Sequence, residues 1–247
     1  MRTFGLLGRS LAHSFSQTYF SQKFDRLGLA DCRYELFELA EISELPQLLA
    51  RHPDLAGLNV TIPYKEQVWP FLTRMAPSAA LVGAVNVIEF APDGSLVGHN
   101  TDYVGFRESL RKFYPATGPD CRALVLGTGG AAKAVRVALR ELGIAHWLVS
   151  RDPLGDHLTY EELTPELLAA HPLIINTTPL GTYPATDECP PLPYAALTPQ
   201  HYLFDLIYNP RETLFLQRGQ AAGAHTHNGF EMLELQAEAA WDIWTKK

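Results

Sequence analysis

Lys65 closes the stretch NVTIPYK, in which an apolar run, 55–62, is broken by Pro63 and a long cation follows two residues later. If that run is a strand of an open α/β sheet, Lys65 stands just past its carboxyl end, where such sheets collect their ligands. A second stretch, VLGTGGAAKA, sets Gly127, Gly129 and Gly130 between a strand-like run and a helix-like run. Small residues at such a turn let backbone approach a pyrophosphate, and the helix N-terminus adds N–H donors and a positive dipole. The strand that follows ends in Ser150-Arg151-Asp152. A carboxylate at that point suits the ribose hydroxyls of NAD, and a cation suits the extra phosphate of NADP. Arg151 comes first and favours NADP; Asp152 is the competing signal, with capping of the turn into Pro153 as its plainer role. His13, His99, His225 and His227 lack a third partner at metal-ligand spacing, so no metal is expected.

The elements that must position these groups alternate strand and helix along the chain, which predicts an α/β fold. Strands are expected over 3–7, 33–39, 55–62, 84–90, 123–126, 146–149, 173–176 and 202–207. Helices are expected from Ser14 or Ser16 to Leu27, with either serine as cap and Gly28 as stop. Others are expected over 42–50, although Pro46 suits only a first turn, from Tyr64, over 102–113, over 131–142, over 213–222 and over 230–244. The proline-rich stretch 184–199 reads as an ordered surface loop. In the last helix Phe230, Leu233, Ala237, Ala240, Trp241 and Trp244 share one face, and Glu231, Glu234, Glu238 and Asp242 the other. Gln236 lies roughly 160° from that acidic face at about 100° per residue. An amide turned away from water needs partners, and a core amide bonded to backbone is the plain alternative to a ligand contact.

The 247 residues suffice for one large domain or two small ones, and 47% of them are hydrophobic, enough for a substantial core. Net charge is 20 − 27 = −7, with no block of like charge, which argues against nucleic acid and anionic membrane as partners. Cys32, Cys121 and Cys189 are far apart and odd in number, as in a reducing compartment. The sequence MRTFGLLGRS lacks the apolar stretch of a signal peptide, and no run is long enough to cross a bilayer. A cytoplasmic protein is expected.

The motifs HSFSQ, GLNVTIPYK, GAVN, GHNTD, GTGGAAKA, INTTPLG, DLIYNP and NGFEMLELQ occur in one order over nearly the whole chain. Together they resemble the shikimate dehydrogenase family. The resemblance implies two α/β domains with the active site between them. One is a substrate domain over 1–101 completed by 229–247; the other is a Rossmann-type NADP domain over 102–228. It implies NADPH-dependent, reversible reduction of 3-dehydroshikimate to shikimate, by a monomer or homodimer, in aromatic amino-acid biosynthesis. Lys65 and Asp102 resemble the family's catalytic pair, since reduction of a ketone by hydride needs a proton for the developing alkoxide. Ser14 and Ser16 match the serines that hold the substrate carboxylate. Asn59, Thr61, Asn86, Tyr208 and Gln236 match its other polar contacts, groups that suit a polyol because most both donate and accept. Implied cofactor contacts are Gly127, Gly129, Gly130, Ala131, Arg151, Asn176, Thr177, Gly181, Ile207 and Gly229.

Departures from the family's pattern are Gln17 in place of proline, Val87 in place of threonine and Thr182 in place of methionine. A short segment after Arg151 also stands where the family often has a longer helix with a second cation. The last of these implies either lower NADP affinity or looser selectivity than is usual in the family. Two alternatives stand beside the main reading: a quinate or dual quinate/shikimate dehydrogenase using NAD, and a non-catalytic nucleotide sensor on the same fold.

Overall fold

Short apolar runs, buried on both faces, build the central strands of the computed structural model, which describes residues 1–11, 14–116, 118, 120–152 and 155–245. His13 and Pro153 lie outside the described residues. The chain divides into two compact units, residues 1–101 with 237–247 and residues 102–236.

In the first unit the chain runs β1 (Arg2–Gly8), α1 (Phe15–Arg26), β2 (Cys32–Glu38), α2 (Leu45–Arg51), β3 (Leu55–Val60) and α3 (Tyr64–Gln67). It continues through β4 (Arg74–Met75), α4 (Pro77–Val82), β5 (Val87–Phe90) and β6 (Leu96–His99). The sheet order is β2-β1-β3-β5-β6-β4. β1 pairs in parallel with β2 and β3, while β5 is antiparallel to β3 and to β6. Side chains alternate between two cores: Leu7, Leu58 and Val60 pack with α2 and α3, and Phe4, Leu6 and Tyr34 pack with α1 and the C-terminal tryptophans.

The second unit runs α5 (Asp102–Phe113), β7 (Arg122–Leu126), α6 (Gly130–Glu141), β8 (Ala145–Val149), α7 (Pro165–Ala170) and β9 (Leu173–Asn176). It ends with β10 (Tyr202–Asp205), α8 (Leu214–Ala221), β11 (His225–His227) and α9 (Phe230–Thr245), whose residues from Ala237 belong to the first unit. All five strands are parallel, in the order β11-β10-β9-β7-β8. Ala123, Val125, Leu173 and Ile175 enter the core on one face, and Leu124, Leu126 and Ile174 the core on the other. The middles of β7, β9 and β10 are therefore continuously apolar, as in strands covered on both faces.

Several boundaries differ from those expected. β3 stops at Val60 rather than at 62, because the Thr61 carbonyl accepts from Tyr64 N in the turn into α3. β5 starts at Val87 rather than 84; the Val85 amide before it donates to the Lys65 carbonyl in the α3 turn. β4, β6, α4, α7 and β11 were not expected; the short ones have too few residues to show a period.

Candidate functional site

The first unit collects polar side chains where its strands turn. Register puts the carboxyl ends of β1 and β3 side by side, with Leu7 opposite Val60. The start of β5 and the end of β6 share that edge, because Asn59 pairs Val87 and Val87 pairs His99. β1 lies between β2 and β3, where successive connections diverge, which is the switch point at which α/β sheets hold ligands.

Asn59 and Asn86, 5% and 3% exposed, are bonded to one another's surroundings at this edge. Asn59 Nδ2 donates to the Asn86 carbonyl at 3.4 Å. Asn86 Oδ1 accepts from the Thr101 amide at 2.7 Å, and its Nδ2 donates to Thr101 Oγ1 at 3.0 Å. The residue immediately before Asp102 is thereby fixed. Asp102 itself is the first residue of α5, where the helix dipole favours a carboxylate.

Lys65 sits in the single turn of α3. The fully buried Tyr64 anchors that turn by donating to the Leu39 carbonyl at 2.6 Å, while the Lys65 carbonyl accepts from Val85 N at 2.7 Å. Thr61 N donates to the Leu7 carbonyl, so the turn is tied to β1 at its other end.

Ser14 occupies the N-cap of α1, yet its side chain makes no capping bond. Its Oγ is buried and has no hydrogen-bond partner among the described residues. The capping role expected for either serine is thus not taken by Ser14. Ser16 lies in the first turn of the same helix.

In the second unit β7 is the switch point, flanked by β8 and β9. The glycine loop follows it. Gly127 has φ +100°, a conformation few side chains adopt, and a Cβ there would press on Thr177 and Thr178. Gly129 and Gly130 face open space, and Gly129 is an N-cap without a side chain to satisfy α6. A cavity of about 290 Å³ opens here, lined by Gly127, Gly129, Arg151, Thr177 and others. These four are expected cofactor residues; Gly130 and Ala131 continue from them as the first residues of α6. The lining also includes Thr128, Ser150, Tyr160 and Thr178, which sequence reasoning missed. Thr128 and Thr178 were legible as neighbours of assigned residues. Tyr160 was not: a bridge from Val149 to Leu158 returns the chain to the pocket, and burial pushes its phenol to about 12.

Asn176 is fully buried and its side chain serves Asp205, donating from Nδ2 at 3.0 Å. Asp205 also accepts from Ile207 N at 3.0 Å and from Thr213 Oγ1 at 2.6 Å. Burial raises its carboxyl to about 6 against these three donors. Sequence reasoning missed Asp205; it ties β9, β10 and α8 together below the loops that carry Thr177 and Ile207.

Gly181 has φ +96°, and a Cβ on Gly229 would lie 2.0 Å from the Leu206 carbonyl, so both glycines are required by the backbone. Tyr208 is half-buried, which raises its phenol. Gln236 is buried, and its Nε2 donates to the Leu233 carbonyl at 3.0 Å.

Residues 6–88 match the model of the shikimate dehydrogenase substrate binding domain. A shikimate dehydrogenase (NADP(+)) of Desulforamulus reducens is 35% identical over 261 aligned residues, which cover 98% of this chain and 89% of the relative. The chain belongs to the shikimate dehydrogenase family. Solved structures agree. A chorismate mutase/shikimate 5-dehydrogenase fusion protein from Clostridium acetobutylicum superposes with a TM-score of 0.88 at 35% identity, covering 99% of this chain and 91% of that one. Quinate dehydrogenase from Corynebacterium glutamicum, in complex with NAD, reaches the same TM-score at 26% identity, covering 100% and 94%. Backbone likeness alone therefore does not separate this chain from either neighbour. Among the described residues no helix is long and apolar enough to cross a membrane, and no group of three or more His, Cys, Asp or Glu could hold a metal ion.

Proposed function

We propose that this protein is an NADP-dependent shikimate dehydrogenase that reversibly reduces 3-dehydroshikimate to shikimate. The observation that supports the reading most is the buried Ser14 hydroxyl at the start of α1, without a partner among the described residues, in the same unit as the Asn59–Asn86 network and the turn bearing Lys65. A donor left over in the interior is costly unless a ligand completes it, and a carboxylate does so.

In this reading residues 1–101 with the end of α9 bind substrate, and the second unit binds the nucleotide. Ser14 and Ser16 take the carboxylate; Asn59, Thr61, Asn86, Tyr208 and Gln236 take the hydroxyls. Gly127, Gly129, Gly130 and Ala131 admit the pyrophosphate, and Arg151 takes the 2′-phosphate. Asn176, Thr177, Gly181, Ile207 and Gly229 shape the rest of the cofactor site. The pocket fits the nucleotide: open space at Gly129 and Gly130, uncapped helix donors, and a guanidinium on the wall.

When bound, NADPH supplies the hydride that the carbonyl carbon receives. Lys65 and Asp102 form the proton-transfer pair. Lys65 stabilises negative charge growing on the carbonyl oxygen and delivers the proton; Asp102 orients the ammonium and relays protons with solvent. One hydride and one proton convert C=O to CH–OH. A monomer or homodimer in the cytoplasm is the assembly and place that go with this reading.

The test is reduced-nicotinamide formation by the purified protein, with shikimate or quinate crossed against NADP⁺ or NAD⁺. Turnover with shikimate and NADP⁺, and at least about tenfold lower kcat/KM in the other combinations, is expected; tenfold is about 1.4 kcal/mol of discrimination. Preference for NAD⁺ would move the cofactor assignment from Arg151 to Asp152. Preference for quinate would establish the alternative substrate, and nucleotide binding without turnover a sensor.

A further inference from the structure

Tyr34 lies on β2 and carries no role in the assignment above, yet its hydroxyl is the hub of the polar chain at the sheet edge. The side chain is 5% exposed and stacks on Phe20, ring centroids 4.7 Å apart at 7°. The polarity of its bonds follows from a single obligate acceptor. The Asn86 carbonyl can only accept, so the Asn59 atom facing it is Nδ2. Asn59 Oδ1 then faces Tyr34, and the phenol, 2.7 Å away, must donate. Burial raises the phenol far above the ordinary tyrosine range, so the proton it donates stays on it. The Ser16 side chain bonds to the same phenol and acts against that rise. Ser16, Tyr34, Asn59, Asn86 and Thr101 therefore form one connected chain within the first unit.

We infer that Tyr34 is a positioning residue for substrate, locking the Asn59 amide so that it meets a substrate hydroxyl as a donor through its remaining Nδ2 hydrogen. A purely structural tyrosine needs only some partner for its hydroxyl, and backbone or water would serve. Here the hydroxyl is spent on an amide whose two ends are otherwise interchangeable in shape. Without the phenol proton, Oδ1 loses its donor and the amide is held only by its long 3.4 Å bond to the Asn86 carbonyl. The inference rests on the proposal that Asn59 contacts substrate.

The test is a double-mutant cycle of Tyr34→Phe and Asn59→Ala, read in initial rates of shikimate oxidation. Phenylalanine keeps the stacked ring and removes one oxygen. Tyr34→Phe alone should raise the KM for shikimate about fivefold or more, with kcat within about twofold and the KM for NADP⁺ unchanged. In the Asn59→Ala background it should add less than about twofold, because the group it orients is gone. The same comparison read as the Tm increase on adding shikimate needs no turnover. An unchanged shikimate KM in Tyr34→Phe, or an equal factor in both backgrounds, would overturn the inference, as would a parallel rise in both KM values. Absence of shikimate turnover and binding in the wild type would remove the proposed function and this inference together. Wild-type turnover with an indifferent Tyr34→Phe removes the inference alone.

Discussion

At the scale of single residues, the site rests on pairing chemistry that can be lost one group at a time. Lys65 is assigned the proton, and its neighbours hold the backbone without it: Tyr64 carries the anchor to Leu39, and the Lys65 carbonyl, not its side chain, bonds Val85. Lys65→Ala should therefore leave the fold and the affinity for NADP⁺ unchanged, as read by circular dichroism and fluorescence titration. It should lower kcat by about 10²–10⁴-fold, the span usual for a positioned acid or base. Retained kcat would take Lys65 out of the proton path. Lys65 and the glycine triplet were legible in sequence because cation and glycines follow apolar runs directly. Asp205 and Tyr34 were not, since each looks like an ordinary strand residue until the partner strand is beside it.

At the scale of elements, close approach of helices does the positioning. Gly105 of α5 faces α9 so tightly that a Cβ would lie 2.6 Å from the Met232 carbonyl and 2.9 Å from Gln236 N. α5 begins at Asp102 and α9 carries Gln236, so this contact sets two assigned residues on rigid bodies. Gly105→Ala should force the helices apart at a cost of about 1–3 kcal/mol, the usual range for overpacking. Its kcat/KM for shikimate should fall as well, while the KM for NADP⁺ holds. Denaturant midpoints against initial rates make the check; a midpoint equal to wild type would show that the helices separate freely. The periodicity of α9 was plain in the sequence, and its bounds differ from the expectation by one residue, Thr245. The contact with α5 was not, because a glycine inside a helix carries no sign of what approaches it.

At the scale of the whole molecule, stability carries a pH signature from one buried carboxyl. Asp205 is raised in the folded chain to about 6, mainly by burial. A carboxyl raised on folding contributes its stability below the unfolded value and loses it as pH rises through the folded one. At roughly 1.4 kcal/mol per pH unit, the loss between about pH 4 and pH 6 is on the order of 2–3 kcal/mol. Asp205→Asn removes that titration. The stability of the variant relative to wild type should therefore improve from pH 4 to pH 7 by that order, measured by urea denaturation at each pH. A difference that stays constant with pH would mean that the three donors around Asp205 outweigh its burial.

The sequence by itself determined the α/β class, the family and the residue types available for hydride and proton chemistry. These follow from local periods, glycine positions and motif order, all of which are properties of neighbours along the chain. Only tertiary structure decided which side chains share an edge and how their hydrogen bonds point. Asn176 turns to Asp205 because β10, far away in sequence, lies beside β9. The Asn59 amide has one orientation because a carbonyl twenty-seven residues on can only accept. Hydrogen-bond polarity is a property of groups meeting in space, and no period along a chain encodes it.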